Sequence, residues 1–584
     1  MFKLARFLKP YWWQVIILLL AVALQTWFTL QLPAMMADIV NNGISKSDYT
    51  YIWQTGAKML LYSVFIVIGA ISSSFFSAKV GAGFSKDLRT AIFSKVLTFS
   101  TSDLEKFSTA SLITRTTNDI NQVQQAFIMI FSMLLRAPMM CIVAIVQAFA
   151  TAPTMTWIIA LGVVLFIFFA IIILSAAMPK FKLFQKLLDK ITLLTRENLT
   201  GLKVIRAFNN EELEKKKFTE VNNELTRTII SVTKLLGLAS PLTTLILNEI
   251  CLLCIWVGIS YLSANIAYLG NMMAFMQYAT HVVFSFLVLT IVLFSIPRAN
   301  ISANRINEVF RTKPKIHWPK VTKGKPSKIP SVVFKNVKFS YSSSAEENVL
   351  ENISFEAKVG ETTAIVGSTG SGKSTIINLL MRFYDTTEGE IFVDGINIKD
   401  YAKKDLFSKI GYVPQQGFLF SGTIDSNINF GNAKSSPENT KSAAKISQSE
   451  EFINKMSDKY KSRIARGGSN VSGGQKQRLS IARAIAKNPE IYAFDDSFSA
   501  LDMKTDAKLR QELAKNSKNA VTVIVAQRIS TIKNAENIIV LNQGKIVGKG
   551  THYQLLKNCK VYREIVKSQL QDTEYEKELA HARS

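Results

Sequence analysis

The chain has 584 residues, of which 48% are apolar and 19% are charged, and its formal net charge is +26. A soluble protein carries nearer to about 25% charged residues, so this composition indicates contact with lipid. The positive balance excludes an acidic or disordered chain, and it leaves nucleic acid or a membrane surface as the partner of the charge. Four cysteines in a chain of this length exclude a disulfide scaffold.

The first half of the chain contains six apolar runs. Each is long enough to cross the hydrocarbon core of a bilayer, which takes about 20 helical residues. The third and fourth runs are separated only by residues 151–154, and the fifth and sixth by an uncharged stretch around Asn265–Asn271. We expect both connections to be tight hairpins on one side of the membrane. The runs are Trp13–Ala37, Lys58–Ala78, Phe127–Ala150, Met155–Met178, Ser240–Ser263 and Phe275–Pro297.

Basic residues distinguish the two sides of the membrane. The connections at 79–126 and 179–238 are long and basic, whereas the hairpin side holds only Lys46. Because Lys and Arg stay in the cytoplasm, both termini and the second half of the chain are expected there, with the spans in the plasma membrane. The lipid bilayer then accounts for much of the positive charge, and no nucleic acid partner is needed. The first apolar run lacks a small-residue cleavage pattern, so we interpret it as a retained helix and not a signal peptide.

The two long connections do not resemble loops. Residues 79–126 and 180–235 lack proline, and their apolar residues recur at a spacing of three and four. This pattern predicts that the membrane helices extend into the cytoplasm. Short turns are expected at the tips, near Ser102–Phe107 and near Ile205–Leu213.

The composition changes after the last span. Residues 312–330 are rich in Lys, Pro and Ser and are interpreted as a linker. From Ser331 onward, short β-branched runs alternate with helical stretches, which is typical of an α/β domain. We therefore divide the chain into a membrane domain at 1–311, the linker, a nucleotide-binding domain at 331–575 and a polar tail at 576–584.

The first functional motif in the second half of the chain is a phosphate-binding loop. The sequence matches G-x-x-x-x-G-K-[ST] between a predicted strand and a predicted helix, which is the context of a P-loop. Its glycines let backbone N–H groups surround phosphate oxygens, the lysine reaches the outer phosphates and the serine offers a hydroxyl to Mg²⁺. The predicted ATP-binding residues are Gly367, Ser368, Thr369, Gly370, Ser371, Gly372, Lys373, Ser374 and Thr375.

Two further motifs follow the P-loop. An apolar strand ends in Asp495, the position of the second Mg²⁺ anchor in P-loop enzymes. Between them, Ser472, Gly473, Gly474 and Gln475 begin a helix whose N-terminus suits an anion. A chain that already has a P-loop does not need a second phosphate-binding element for the same nucleotide. This helix therefore indicates contact with a second nucleotide.

These motifs resemble those of ATP-binding cassette (ABC) transporters. Residues 472–475 resemble the ABC signature, and six spans followed by one cassette resemble an exporter half-transporter over nearly the whole chain. The resemblance implies an α-helical membrane domain of six transmembrane helices followed by an α/β P-loop domain. It also implies two cassettes that enclose two ATP molecules, each between the P-loop of one cassette and the signature of the other. The cofactors implied are ATP and Mg²⁺.

The resemblance assigns roles to further residues. Tyr341 matches the aromatic residue that stacks on adenine, and Gln415 matches the glutamine that touches Mg²⁺ and senses the membrane domain. Ser374 and Asp495 complete the implied Mg²⁺ ligands. Asp502 matches the loop that crosses between two cassettes. The cytoplasmic helix tips match the coupling helices, of which the second docks on the partner's cassette.

Departures from the family pattern fall in the catalytic site. The residue after the Mg²⁺ aspartate is usually Glu, the general base, whereas here it is Asp496, and the usual His is here Gln527. The shorter carboxylate would sit roughly 1.5 Å back, and misplacement of this size costs about a hundredfold in rate. A glutamine amide has no titratable proton. The stretch 464–468 also departs from the usual Gly-Glu pair, which puts in doubt the contact of that loop with the coupling helices.

These departures resemble the degenerate-site subunit of bacterial heterodimeric ABC multidrug exporters. The implied function is ATP-driven efflux of hydrophobic small molecules or drugs with a second, different half-transporter, and slow hydrolysis at this chain's own site. Two alternatives stay open. One is a homodimeric exporter of lipid or peptide that tolerates Asp496, and the other is an ATP-gated channel or a regulatory membrane protein.

Two charged residues lie inside predicted spans. Arg136 and Glu249 each fall about 14–15 Å from the cytoplasmic end of their span, at 1.5 Å per residue. A charge at that depth costs about 2.5–3 kcal/mol or more if it faces lipid, so both are expected to face the helix bundle or a cavity. They are predicted either to form an ion pair, with each other or with the partner's spans, or to line a cavity for a charged substrate.

Overall fold

The computed structural model describes residues 1–262, 268–341, 348–432 and 435–583. The chain divides into two compact units. The first comprises Met1–Leu97 and Ala110–Thr312, and the second comprises Thr98–Thr109 and Lys313–Ser584. We call them the membrane unit and the cassette unit.

The N-terminal half is helical throughout its described residues apart from short turns. Two π-helical segments interrupt the regular helices, Ile39–Ile44 and Ile130–Leu134. The predicted hairpin between the fifth and sixth spans lies largely in 263–267, outside the described residues. The helices are α1 (Trp12–Asp38), α2 (Tyr49–Val96), α3 (Thr101–Phe107), α4 (Thr109–Thr116), α5 (Asn118–Met129), α6 (Arg136–Thr151), α7 (Thr156–Thr200), α8 (Leu202–Ala207), α9 (Glu211–Gly237), α10 (Ala239–Leu262) and α11 (Tyr268–Arg311).

Within the described residues, six helical stretches are long and apolar enough to cross a membrane. Each overlaps one of the predicted apolar runs, so the prediction of six spans is confirmed. Several stretches are far longer than a bilayer requires: α7 has 45 residues, and at 1.5 Å per residue it measures about 68 Å. The stretches are Lys3–Ile44, Tyr49–Val96, Thr109–Thr151, Pro153–Thr200, Glu211–Ile259 and Leu269–Thr290.

The membrane unit is held together by an apolar core formed by α1, α6, α7, α10 and α11. Tyr278 lies at its centre, fully buried, and its hydroxyl donates a 3.1 Å hydrogen bond to the Leu30 carbonyl oxygen. A polar cluster ties other helices of this unit together. Arg115 pairs with Glu308 at 2.8 Å, and the buried Asp119 accepts a 3.0 Å hydrogen bond from the Ser302 hydroxyl.

Short helices occur at both predicted tips. The first, α3, begins after Ser100, whose hydroxyl and backbone form a capping box with Asp103, and this arrangement satisfies the first N–H groups of the helix. The second, α8, starts three residues before the predicted turn at Ile205–Leu213 and ends at Ala207. Phe208 follows it with a side chain that is 73% exposed.

The cassette unit contains mixed sheets and flanking helices. Its strands are β1 (Ser331–Phe339), β2 (Leu350–Lys358), β3 (Thr362–Gly367), β4 (Glu388–Val393), β5 (Ile396–Asn397), β6 (Ile410–Val413), β7 (Gly422–Thr423), β8 (Arg463–Ile464), β9 (Ile491–Asp495), β10 (Val521–Val525), β11 (Asn537–Asn542) and β12 (Lys545–Gly550). Its further helices are α12 (Lys373–Leu380), α13 (Lys403–Lys409), α14 (Ile424–Ile428), α15 (Pro437–Ile446), α16 (Glu450–Asn454), α17 (Gly473–Ala486), α18 (Met503–Asn516), α19 (Ile529–Ile532), α20 (His552–Asn558), α21 (Lys560–Lys567) and α22 (Asp572–Arg583).

The central sheet places the candidate site. Its strand order is β12-β11-β3-β10-β9-β6, with β11, β3, β10, β9 and β6 parallel and β12 antiparallel. The inner strands are buried on both faces, as their continuous apolar runs predict. A smaller antiparallel sheet, β2-β1-β4-β5, packs beside it. The α/β class of this unit is therefore confirmed.

The polar C-terminal residues, which the sequence marks only as a polar tail, lie in the helix α22. Tyr575 and Ala582 of α22 pack against the apolar core of the cassette unit. Glu578 forms an ion pair with Lys533. The contacts involve only two apolar side chains and one pair of charges, which is too few to give an amphipathic pattern in the sequence. The polar composition of the segment therefore does not predict this packed helix.

Candidate nucleotide-binding site

The carboxyl ends of four neighbouring parallel strands carry the predicted site residues. The P-loop follows β3, Gln527 follows β10, Asp495 ends β9 with Asp496 directly after it, and Gln415 follows β6. In open α/β sheets this edge is where ligands bind. The sheet thus brings together residues that lie up to 160 positions apart, between Gly367 and Gln527.

The P-loop is fixed by its glycines and its lysine. Gly372 has a φ of +95°, and a Cβ there would lie 2.6 Å from Cδ2 of Leu350, so only glycine fits. The Lys373 ammonium donates to the carbonyl oxygens of Gly367 at 2.9 Å and Ser368 at 2.7 Å. Burial lowers the pKa of Lys373, while the charges of Asp496 and Asp495 oppose that change.

Two of the three predicted Mg²⁺ ligands, Ser374 and Asp495, lie next to each other. The Ser374 hydroxyl donates a 2.7 Å hydrogen bond to Oδ1 of Asp495. Burial raises the pKa of the Asp495 carboxyl, and the hydrogen bond from Ser374 opposes this rise. A hydroxyl beside a buried carboxylate is a set of hard oxygen ligands that suits Mg²⁺. The Ser371 hydroxyl in the same loop is buried without a hydrogen-bond partner in the described part of the chain, which fits a loop built for phosphate oxygens.

Asp496 is held in an unusual conformation directly after β9. Its φ is +45°, in the left-handed region, and its N–H donates a 2.9 Å hydrogen bond to the Val525 carbonyl. Its carboxylate accepts a 3.4 Å hydrogen bond from Nε2 of Gln415. Burial raises the pKa of Asp496, and hydrogen bonds from Ser499, the Gln527 backbone and Gln415 oppose the rise. The two departures, Asp496 and Gln527, follow the neighbouring strands β9 and β10 at the same edge of the sheet.

Tyr341, the predicted adenine platform, lies beside the start of α12. Its hydroxyl lies 3.1 Å from Oγ1 of Thr375 at the start of α12. Its ring meets Tyr384 edge-on, with the centroids 5.0 Å apart, and it is 45% exposed. One side of the tyrosine is thus packed while the rest is open for stacking.

The signature residues begin α17. Ser472 caps this 14-residue helix through a reciprocal pair of hydrogen bonds with Gln475, and Ser472 and Gly473 are exposed. Among the described residues, no hydrogen bond joins the signature to the P-loop of the same chain. Asp502 likewise caps α18 by accepting a hydrogen bond from Thr505 N–H, and this bond lowers its pKa.

Sequence reasoning missed two residues that tie the loops of the site together. The buried Gln477 accepts from Gly417 N–H at 2.8 Å and donates to the Pro414 carbonyl at 3.0 Å, which links the signature helix to the loop of Gln415. Arg528 donates to the carbonyls of Ser499 at 2.9 Å and Leu501 at 3.1 Å. Their partners lie far away in sequence, so no local pattern marks them.

The charged residues predicted inside the spans lie in different surroundings. Arg136 lines a cavity of the membrane unit, whereas Glu249 is exposed on α10. Within the described residues no ion pair joins them. The predicted pairing of these two residues with each other is therefore not formed in this chain.

The comparisons with known proteins identify the class. The family model described as ABC transporter transmembrane region matches residues 15–286, and the one described as ABC transporter matches residues 350–499. An uncharacterized ABC transporter ATP-binding protein of Mycobacterium tuberculosis (strain CDC 1551 / Oshkosh) is 37% identical over 97% of both chains. The uncharacterized ABC transporter ATP-binding protein YfiB of Bacillus subtilis (strain 168) is 35% identical over 97% of this chain and 98% of its own.

A solved structure shows the same fold. A bacterial Atm1-family ABC exporter with ATP bound superposes with a TM-score of 0.79 at 24% identity, covering 96% of this chain and 99% of the exporter. The six spans and the P-loop cassette define a multi-pass membrane transporter subunit of the exporter type. The chain belongs to the ABC transporter family. The predicted family and fold class are confirmed, and ATP binding and ATP-driven transport follow from the cassette.

Proposed function

We propose that this chain is the degenerate-site subunit of a heterodimeric exporter, which uses ATP to move hydrophobic small molecules or drugs out across the plasma membrane. The observation that carries the proposal is the pair Asp496 and Gln527 at the place of the usual base and histidine. The other members of the site keep the residues expected of an active cassette. The proposal thus concerns one catalytic step and not ATP binding.

The roles proposed for the binding residues follow their positions. Tyr341 stacks on adenine, and the P-loop N–H groups with Lys373 hold the phosphates. Ser374, Gln415 and Asp495 hold Mg²⁺, which when bound neutralises charge on the outer phosphates. Residues 472–475 face the ATP on the partner's P-loop, and Asp502 lies in the loop between the cassettes.

The contacts of Asp496 support slow hydrolysis at this chain's own P-loop. A general base must reach the proton that it removes, and a carboxylate that is one methylene shorter falls short by roughly 1.5 Å. The Asp496 carboxylate also accepts a 3.4 Å hydrogen bond from Gln415, which competes with a bond to the attacking water. Gln527 offers only an amide, so it supplies no proton that could compensate.

The hydrophobic substrate class is supported by an apolar cavity of the membrane unit. It lies between α7, α10 and α11 and is lined by Phe166, Phe169 and Leu287 among other apolar side chains. Aromatic side chains provide large, adaptable contact surfaces for apolar molecules. An apolar lining of this kind favours molecules that partition into lipid.

The test is a comparison of the two P-loop lysines in the assembled heterodimer. We expect Lys373→Ala to lower ATP turnover and dye efflux less than the matching change in the partner, because the fast site uses this chain's signature and the partner's P-loop. Equal losses from both changes would exclude the asymmetric model. Full activity of this chain expressed alone would instead support the homodimeric alternative.

A further inference from the structure

A second cavity of the membrane unit differs from the apolar one. It encloses about 450 Å³ between α1, α2, α6 and α11. This volume lies within the range of small-molecule sites, about 300–1,000 Å³. Its lining is mixed, with one arginine, one histidine, one glutamine, several hydroxyls and several apolar side chains.

The polar side chains of this cavity have unused hydrogen-bonding capacity. Within the described residues, Arg136 makes neither an ion pair nor a hydrogen bond through its guanidinium, and the side chains of Gln25 and His281 likewise have no hydrogen-bond partner. The lining residues include no Asp or Glu. A guanidinium carries five donors and stays charged. Charged side chains inside spans are rare and mark substrate or ion pathways, and this one has no anionic partner among the lining residues.

The hydroxyls of the lining carry no charge, and within the described residues none of them accepts a hydrogen bond from Arg136. Four of them, on Thr29, Ser73, Ser132 and Ser285, donate to carbonyls of their own helices at 2.7–3.0 Å. Their protons are therefore engaged within the protein, and the charged N–H groups of Arg136 are the strongest donors that face a ligand. This arrangement favours an anionic group next to Arg136.

The rest of the lining is apolar. Met133, Met140 and Phe284 face the same cavity. Methionine side chains are flexible and polarizable, so they adapt to apolar groups of varied shape. The combination of one cation with soft apolar walls fits a molecule that carries one acidic group on an apolar body.

The backbone next to Arg136 supports a functional site at this place. The π-helical turn Ile130–Leu134 ends two residues before Arg136, and it carries the cavity residues Ser132 and Met133. Such turns are rare and occur frequently at functional sites, where they redirect side chains. This observation is independent of the charge of Arg136.

We propose that this cavity binds an organic anion, with Arg136 pairing with its carboxylate or phosphate group and with Gln25 and His281 completing the hydrogen bonds. Met133, Met140 and Phe284 hold the apolar body. This assignment rests on the proposed export function. It specifies that the exported hydrophobic molecules are those that carry one acidic group. The preferred class is then anionic amphiphiles.

The test uses a pair of fluorescent probes that differ only in charge, pyrenebutyrate and its methyl ester. Binding is measured to the full-length transporter in phosphatidylcholine nanodiscs without ATP, so the result does not depend on hydrolysis or on its asymmetry. We expect the acid to bind at least about tenfold more tightly than the ester, the size expected for a hydrogen-bonded ion pair. Equal binding of acid and ester would overturn the assignment.

Substitutions test whether the preference for the acid over the ester arises in this cavity. Arg136→Gln should lower the affinity for the acid about tenfold and leave the ester unchanged, and Arg136→Lys should keep most of the preference because the charge remains. Arg298→Gln is the matched control: Arg298 is exposed on α11, it is not among the residues that line the cavity, and its replacement should change neither affinity. ATP-analogue binding at the cassette reports folding in each variant. If Arg136→Gln does not fold, His281→Gln and the acid-to-ester ratio of the native chain decide.

The lipid composition of the nanodiscs shows whether the natural anion is a membrane lipid or a soluble organic acid. If the natural ligand is a membrane lipid, nanodiscs that contain phosphatidylglycerol should compete with pyrenebutyrate through Arg136. If it is a soluble organic acid, added phosphatidylglycerol should leave the affinity for the acid unchanged. Both results support an anion site. Retention of full acid affinity in a folded Arg136→Gln variant contradicts it.

Discussion

The hydroxyl of Tyr384 donates a 2.7 Å hydrogen bond to Oε1 of Glu105. Glu105 lies on α3, the first predicted tip, and the ring of Tyr384 touches the edge of Tyr341. Burial and the neighbouring carboxylate raise the pKa of Tyr384, so it stays a donor at every physiological pH. The residue expected to stack on adenine is therefore one side chain away from the segment expected to transmit cassette movement.

We expect this link to affect transport more than ATP binding. Glu105→Gln and Tyr384→Phe should each lower ATP-driven transport about tenfold, since a hydrogen bond to a charged group contributes about 1.5–3 kcal/mol. ATP-analogue affinity should stay within about twofold, because neither residue holds phosphate. The double variant should be no worse than either single variant. Additive losses in transport would show that the two side chains act separately.

Lengthening the side chain at position 496 should restore catalysis in part. We expect Asp496→Glu to raise phosphate release at this chain's own P-loop by about ten- to a hundredfold, because the carboxylate regains its reach. Asp496→Asn is the matched control, and it should stay at the native rate or below. The rate is measured with the partner's P-loop lysine replaced, so that only this site contributes. Identical rates for the Glu and Asn variants would remove Asp496 from the explanation of slow turnover.

Phe208 offers a test of the second tip. Its side chain is 73% exposed, so Phe208→Ala should leave the melting temperature almost unchanged, as surface substitutions usually do. If α8 and the following turn couple the cassettes to the spans, the variant should bind ATP normally and lose transport. Leu199→Ala is the control, since Leu199 is 71% exposed but precedes the tip. Normal efflux by Phe208→Ala would mean that the coupling contact lies elsewhere.

The buried carboxylate of Asp495 should reduce the stability of the cassette when no nucleotide is added. Its pKa is raised in the folded state, so the stabilisation by its protonated form is present at low pH and is lost as the pH rises through that raised value. At pH 7 the ionised group therefore costs stability. Asp495→Asn should raise the cassette melting temperature by roughly 2–4 °C, corresponding to about 1 kcal/mol.

The same variant should lose the added stabilisation by Mg²⁺ and ATP, since it removes a proposed metal ligand. Asp502→Asn, at an exposed helix cap where asparagine is also favourable, should change the melting temperature little. Differential scanning fluorimetry at several pH values distinguishes these outcomes. A native protein that is more stable than Asp495→Asn at pH 7 would contradict the assigned cost.

Features that depend on residues close together in the sequence could be predicted from it. The P-loop could be recognised because its glycines, lysine and serine are contiguous, and the spans because a bilayer demands long apolar runs. The contacts of Tyr384 with Glu105, 279 positions away, have no such local signature. The same holds for the links made by Gln477 and Arg528, which depend on how distant loops meet at the edge of the sheet.

The depth of Arg136 in its span was predictable, but its direction was not. Hydropathy locates a charge along a helix, whereas the side to which it points depends on the helical register. The π-helical turn before Arg136 changes that register, and no residue type in Ile130–Leu134 announces it. A wheel drawn with regular α-helical spacing therefore misplaces every later side chain of α6.

That turn also fixes the direction of everything that follows it in the span. A π-turn holds one residue more than an α-turn, and one residue corresponds to about 100° around a helix of 3.6 residues per turn. In an uninterrupted α-helix, Arg136 would therefore point about 100° away from its present direction. Deleting one residue from Ile130–Leu134 would accordingly turn the guanidinium away from the cavity and leave the apolar composition of the span unchanged.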